Sequence, residues 1–171
     1  MEQILNRAAK GDREAMAQIV GEHYPAVYRF CARRVGVTVA EDAAQETFLT
    51  AQKSLSKFDG RSSLLTWLLG IANNHCRAMS RKQKQESPME LWKSTEVQSH
   101  EQGSVDRVTL KKALDSLSPE HLEVVLMHEV EGLTYDEAAA ILGVPAGTVK
   151  SRLHHAFLNL RRFFDEQGAT A

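Results

Sequence analysis

Three groups of side chains in this sequence have the types and spacing to act on something outside the chain. The first is Thr148, Lys150, Ser151, Arg152, His154 and His155, in a stretch of helical periodicity that carries no Asp or Glu over residues 145–162. Hydroxyl, ammonium, guanidinium and imidazole groups on one helix face can hydrogen-bond base edges and neutralise phosphates. The second is Asn73, Asn74, Arg77, Arg81 and Lys82, which follow Trp67 in another helical pattern. Aromatic and amide groups leading into cations suit single-stranded nucleic acid, where bases stack or hydrogen-bond while cations track phosphates. A core tryptophan in a helix whose basic end meets water is the competing reading. The third group is Asp42, Gln45, Glu46 and Leu49, at i, i+3, i+4 and i+7 and so on one helix face. That stripe fits a solvated acidic face or a surface addressing cationic groups on a protein partner.

Other chemistries find little support. His121 and His128 lack the i, i+4 spacing of a helical metal pair, and the adjacent His154 and His155 diverge, so no metal or cofactor is expected. No G-x-x-x-x-G-K-[ST] run, nucleophile–base pair or carboxylate pair stands out, and no enzymatic activity is expected. Cys31 and Cys76 are too few for a disulfide framework and read as small buried hydrophobes.

The elements that must position these groups follow from periodicity and punctuation. Residues 133–164 read as a helix-turn-helix. Thr134 and Glu137 form a capping box, Ala138, Ile141 and Leu142 give the first helix its apolar face, and Ala139 permits close approach of the second. Gly143 leaves the helix in a positive-φ conformation, and Pro145 opens the second helix. Val149, Leu153, Ala156 and Leu160 are its buried stripe, and the opposite face is of the kind that enters a major groove. Residues 105–117 and 119–130 supply two supporting helices through Val108, Leu110, Ala113, Leu114 and Leu117, then Leu122, Val125, Leu126 and Val130.

Upstream, residues 2–9 and the stretch after Asp12 are amphipathic helices, with Pro25 either starting a new helix or bending one. Ala44, Phe48, Ala51 and Leu55 face inward opposite the acidic stripe. Phe58, Asp59, Gly60, Arg61, Ser62 and Ser63 form a loop, with Ser62 or Ser63 capping the long helix from Leu64. Residues 85–104 are polar, interrupted by Pro88 and Gly103, and read as a linker in which Trp92 is the odd residue. The expected fold is therefore all-α: two small helical domains, 1–84 and 105–171, joined by a flexible linker, the second containing the helix-turn-helix.

A chain of 171 residues with 43% hydrophobic and 25% charged content is in the range of soluble globular proteins. No apolar run approaches the ~20 residues needed to span a bilayer. The segment MEQILNRAAKGDREA has no signal-peptide core, so a cytoplasmic location without membrane insertion is expected. The 21 Lys and Arg against 22 Asp and Glu give a net charge of −1, but the signs are segregated. Residues 77–84 and 150–162 are basic, while 41–46 and 120–137 are acidic. Such a chain has modest DNA affinity of its own and acidic faces free for a basic partner.

The motifs AEDAAQETFLTA (40–51) and FDGRSSLLTWLLGIANN (58–74), the basic end through Lys84 and the block 113–162 resemble bacterial RNA polymerase sigma factors of the extracytoplasmic-function (ECF) group. The resemblance spans nearly the whole chain. It implies a region 2 domain, a linker passing near the polymerase active site and RNA exit path, and a region 4 domain. It implies a function: binding core RNA polymerase, recognising −35 and −10 promoter elements and assisting melting. On this resemblance Asp42, Gln45, Glu46 and Leu49 meet the clamp coiled coil of β′, with β as a further core contact. The loop of Phe58, Asp59, Gly60, Arg61 and Ser62 captures a flipped −10 base. Trp67, Asn73, Asn74, Arg77, Arg81 and Lys82 hold the opened strand. Thr148, Lys150, Ser151, Arg152, His154 and His155 read the −35 groove. A cognate anti-sigma factor, often at the inner membrane, is a further implied partner. Departures lie at Ala78, where the family often has an acid, and at Asn73 and His155, where it often has arginine; they bear on promoter sequence. The alternative reading is a stand-alone helix-turn-helix regulator of duplex DNA.

Overall fold

The computed structural model describes residues 2–86 and 107–168. They fall into two compact units. Among the described residues every regular element is helical. Gln85 and Glu86 extend the last helix of the first unit rather than opening a linker. The remainder of the expected linker, Trp92 included, lies outside the described residues.

The first unit contains α1 (Glu2–Ala9), α2 (Arg13–Val35), α3 (Val37–Ser54) and α4 (Leu64–Glu86). Asp12 starts α2 by accepting the backbone N–H groups of Glu14 and Ala15 at 3.0 and 3.1 Å, and Arg7 Nε donates to it at 2.7 Å. The Ala15 N–H first, and then Arg7, hold the Asp12 carboxyl below its usual range. α2 runs through Pro25, so that residue does not begin a helix. Its missing N–H leaves the Gly21 carbonyl without a helical donor on an exposed turn, where water can replace it.

Gly36 alone turns α2 into α3. Its N–H donates to Ala32 O at 3.0 Å, and its own carbonyl accepts from Ala40 N at 3.0 Å. With φ 80° and ψ 160°, the corner needs a residue without Cβ. A 3-10 turn, Leu55–Lys57, closes α3.

The core lies where α2, α3 and α4 meet. Ala15, Ile19, Val27 and Phe30 enter it from α2, Ala40, Ala43, Ala44, Phe48 and Ala51 from α3, and Leu64, Leu68, Leu69 and Ala72 from α4. The inward face expected of α3 is therefore the buried one, and Leu55 is buried with it.

The second unit contains α5 (Arg107–Asp115), α6 (Pro119–Val125), a π-helical turn (Leu126–Val130), α7 (Tyr135–Leu142) and α8 (Ala146–Gly168). Leu117, Leu122, Val125 and Ala156 form one core cluster, with Leu114, Leu126 and Leu160 packed against it, and Val124, Met127, Ile141, Leu142, Val149 and Leu153 are buried as well. Three residues read as core are exposed: Val108 and Leu110 in the first turn of α5, and Val130. α5 buries itself at Ala113, further along the helix. Val130 turns outward because Glu131 N bonds back to Leu126 O at 3.0 Å, an i→i−5 step that shifts the 3.6-residue register. Met127 takes the buried position instead.

These burials are testable. Leu68→Ala is expected to lower the unfolding free energy by about 2–5 kcal/mol, and Val130→Ala by less than about 0.5 kcal/mol. Urea unfolding followed by circular dichroism measures both, and equal losses would contradict the assigned burial.

Candidate nucleic-acid interface

The helix-turn-helix is built by local bonds. Thr134 accepts the Glu137 N–H at 3.3 Å, while Glu137 Oε2 accepts the Thr134 N–H at 3.0 Å, so the capping box is complete. Before it, Leu133 N donates to Met127 O at 3.0 Å. His128 Nδ1 lies 2.8 Å from Leu133 O; a carbonyl only accepts, so Nδ1 carries the proton. The His128 ring packs on Tyr135, with centroids 4.9 Å apart.

α7 ends at Gly143 in the left-handed conformation, φ 67° and ψ 35°, and Val144 N bonds to Ala139 O at 3.1 Å. Pro145 is one place earlier than expected. It precedes the first helical residue, and its carbonyl accepts Thr148 N at 2.9 Å and Val149 N at 3.3 Å. Val149, Leu153 and Ala156 bury one side of α8. Lys150, Ser151, His154 and His155 are exposed, and Thr148 and Arg152 are half-buried. Ser151 Oγ donates to Thr148 O at 3.1 Å. His154 and His155, adjacent on the helix, touch edge to face at 5.6 Å. His155 also stacks on His121 of α6, a contact across elements that the sequence did not signal.

In the first unit the loop before α4 is ordered by two devices. Asp59 accepts the Arg61 N–H at 3.1 Å and is paired with the Arg61 guanidinium. Ser63, not Ser62, caps α4: its Oγ accepts Thr66 N at 3.0 Å, while Ser62 Oγ donates to Ser63 O at 3.3 Å. Phe58 packs on Trp67 with ring centroids 5.4 Å apart. Loop and helix thus share an aromatic contact, with both rings half-buried.

Along α4, Trp67, Asn74, Arg77 and Arg81 recur at helical spacing, and Asn74, Arg77, Arg81 and Lys82 are exposed. Asn73 corrects the expectation for this helix. It lies at 0% exposure, on the inward line of Leu69, Ala72 and Cys76. Both of its amide atoms are buried without a hydrogen-bond partner among the described residues. Its polarity suggested an outward position, but its register is that of the core. One bond went unforeseen: Thr50 Oγ1 and His75 Nε2, 25 residues apart, meet at 2.9 Å and tie α3 to α4.

On α3, Asp42, Gln45, Glu46 and Leu49 are all exposed, and Gln45 Nε2 donates to Glu41 Oε1 at 3.3 Å. Leu49 is 50% exposed, so the stripe presents an apolar surface among acids. The buried Cys31 and Cys76 thiols hydrogen-bond to each other; that bond, aided by Arg34, holds Cys76 below the ordinary thiol value against the opposing effect of burial. Among the described residues no His, Cys, Asp and Glu cluster could hold a metal, and no helix is long and apolar enough to cross a membrane.

Comparison with known proteins gives matches over both units. The sigma-70 region 2 family matches residues 19–86, and sigma-70 region 4 matches residues 107–160. The ECF RNA polymerase sigma factor SigC of Mycobacterium tuberculosis is 34% identical over 156 residues, covering 87% of this chain and 83% of that protein. SigW of Bacillus subtilis, also an ECF sigma factor, is 29% identical over 174 residues, covering 92% and 93%. Among solved structures, the sigma factor RpoE bound to the anti-sigma factor NepR, from Bartonella quintana, has a TM-score of 0.68 at 30% identity, covering 87% and 96% of the two chains. CnrH in complex with the cytosolic domain of CnrY has a TM-score of 0.69 at 25% identity, covering 95% and 96%.

The Asp59 loop makes a prediction about pH. The Arg61 backbone N–H first, and then its side chain, hold the Asp59 carboxyl below its ordinary value of 3.8. Because the folded value is the depressed one, the carboxylate's contribution to the loop is complete above pH 3.8 and is lost as pH falls through the depressed value. A carboxyl NMR titration should place the Asp59 midpoint below 3.8, and Arg61→Ala should raise it part of the way back, since the backbone bond remains.

Proposed function

Since the chain belongs to the ECF group of the sigma-70 family, as an alternative sigma factor that directs RNA polymerase to promoters, we propose that its exposed faces divide that task. Residues 1–86 act as region 2, 87–104 as the linker and 105–171 as region 4. The acidic stripe of Asp42, Gln45, Glu46 and Leu49 docks on the clamp coiled coil of β′, its carboxylates meeting cations around an apolar contact at Leu49; β is the further core contact. The loop of Phe58, Asp59, Gly60, Arg61 and Ser62 holds an extruded base of the −10 element. Trp67, Asn74, Arg77, Arg81 and Lys82 hold the strand that follows. Thr148, Lys150, Ser151, Arg152, His154 and His155 read the −35 duplex.

The observation that carries this reading is the alignment on α4. An aromatic ring shared with the loop, then an amide, then two guanidiniums follow one face of one helix. That order matches what an opened strand offers: a base to stack, an edge to hydrogen-bond and phosphates to neutralise. Extruding a base costs a few kcal/mol of stacking and pairing, which contacts to the captured base offset. We infer that the chain itself catalyses no bond-making or bond-breaking step, and that melting draws on binding alone. The solved relatives are complexes with NepR and with the cytosolic domain of CnrY. By analogy, a cognate anti-sigma factor would cover the polymerase-binding faces of this chain. It would work in the cytoplasm, held at the inner membrane when that partner is membrane-bound.

Run-off transcription with core RNA polymerase and a promoter library tests the proposal. Selected transcripts should share −35 and −10 elements, and the Asp42→Lys/Glu46→Lys variant should lose them by about tenfold or more, since juxtaposed like charges cost several kcal/mol. Lys150→Ala should weaken duplex binding across sequences and reduce the slope of log affinity against log salt by about 1. Duplex binding without core, and no transcripts with it, would instead make the chain a stand-alone regulator.

A further inference from the structure

Three imidazoles stand in series on the second unit. His121, in the first turn of α6, lies stacked against His155 of α8, with ring centroids 6.3 Å apart and 22° between the planes. His154 meets the same His155 ring edge-on. His154 and His155 are exposed, but His121 is half-buried, and its Nδ1 is buried without a hydrogen-bond partner. Its backbone is fixed as well, because the His121 N–H donates to the capping Ser118 Oγ at 3.3 Å. α6 and α8 pack against each other, and this packing brings the His121 and His155 rings together. It offers His155 a fixed aromatic face.

An exposed imidazole on a recognition helix samples several rotamers, and each must be ordered again when a base is read. A side chain held beforehand avoids that cost and presents its donor or acceptor in one direction, which is what discriminates one base edge from another. Resting on the reading of His155 as a −35 contact, we propose that His121 is a positioning residue. From outside the helix-turn-helix, it sets the His155 ring for base readout, with His154 meeting the same ring edge-on. The unbonded Nδ1 makes the contribution one of ring shape. A phenyl ring at 121 should therefore serve, and a methyl group should not.

The test measures transcription by core polymerase with the full chain on promoters carrying each of the four bases at every −35 position. His155→Ala identifies the position that His155 reads. His121→Ala should reduce discrimination at that same position by about two- to tenfold, the range expected for an aromatic pair. It should cause no further loss when combined with His155→Ala, and His121→Phe should restore the preference. Equal losses in His121→Ala and His121→Phe would overturn the proposal, as would a uniform loss over all sequences with a lowered melting temperature. Additive effects of the two alanine variants would overturn it too. If His155→Ala leaves every −35 preference unchanged, the reading of His155 as a base contact falls, and the role of His121 falls with it.

Discussion

The close approach of α2, α3 and α4 is the constraint on which the first unit depends. Ala15, Ala40, Ala43, Ala44, Ala51 and Ala72 are all essentially without solvent exposure. Residues this small bring helix backbones together, while Phe30, Ile19 and Leu68 fill the volume between them. Each helix spends one side on this packing and has the other free. On α3 the free side is acidic with a half-exposed leucine, and on α4 it is aromatic, then amide, then basic. One core thus holds both faces, and the Thr50–His75 bond crosses between their helices. A partner that grips α3 therefore also orients α4.

The second unit reaches definition by other means. Its helices are short apart from α8, and each contributes buried side chains, from Ala113 of α5 to Leu153 of α8. Much of its shape is specified by end effects: Ser118 before α6, the capping box before α7, the left-handed Gly143 after it and the Pro145 carbonyl before α8. Such bonds span three to five residues and fix angles more sharply than non-directional burial does. For a helix proposed to enter a groove in one orientation, that division of labour is apt. The His128–Leu133 bond extends it by tying the π-helical turn to the entry of α7.

How far the sequence alone was legible follows the same distinction. The caps at Asp12 and Thr134 and the exit at Gly143 are local chemistry, readable from neighbouring residue types, and the structure has all three. The four-residue stripe on α3 was readable because its period matches an undistorted helix. Val130 was misread because the π turn inserts a step that a 3.6-residue period does not anticipate. Asn73 was misread because polarity outweighed register, although Leu69, Ala72 and Cys76 mark its line as buried. The Thr50–His75 and His121–His155 contacts join separate helices, and nothing short of the packed structure reveals them. For α4 the sequence left strand capture and a core tryptophan as competing readings, and the resemblance favoured the first; Trp67 is half-buried, while Asn74, Arg77 and Arg81 are exposed.

Gly36 ends one helix and begins the next within a single residue. The corner therefore has no slack in chain length. One inserted residue would turn α3 by about 100° relative to α2. Phe48 would swing toward water, and the Asp42–Glu46 side would swing toward the core. Insertions and deletions in descendants of this chain should thus be purged at this corner and tolerated in segments that belong to no helix. The corner keeps the reading frame of the fold.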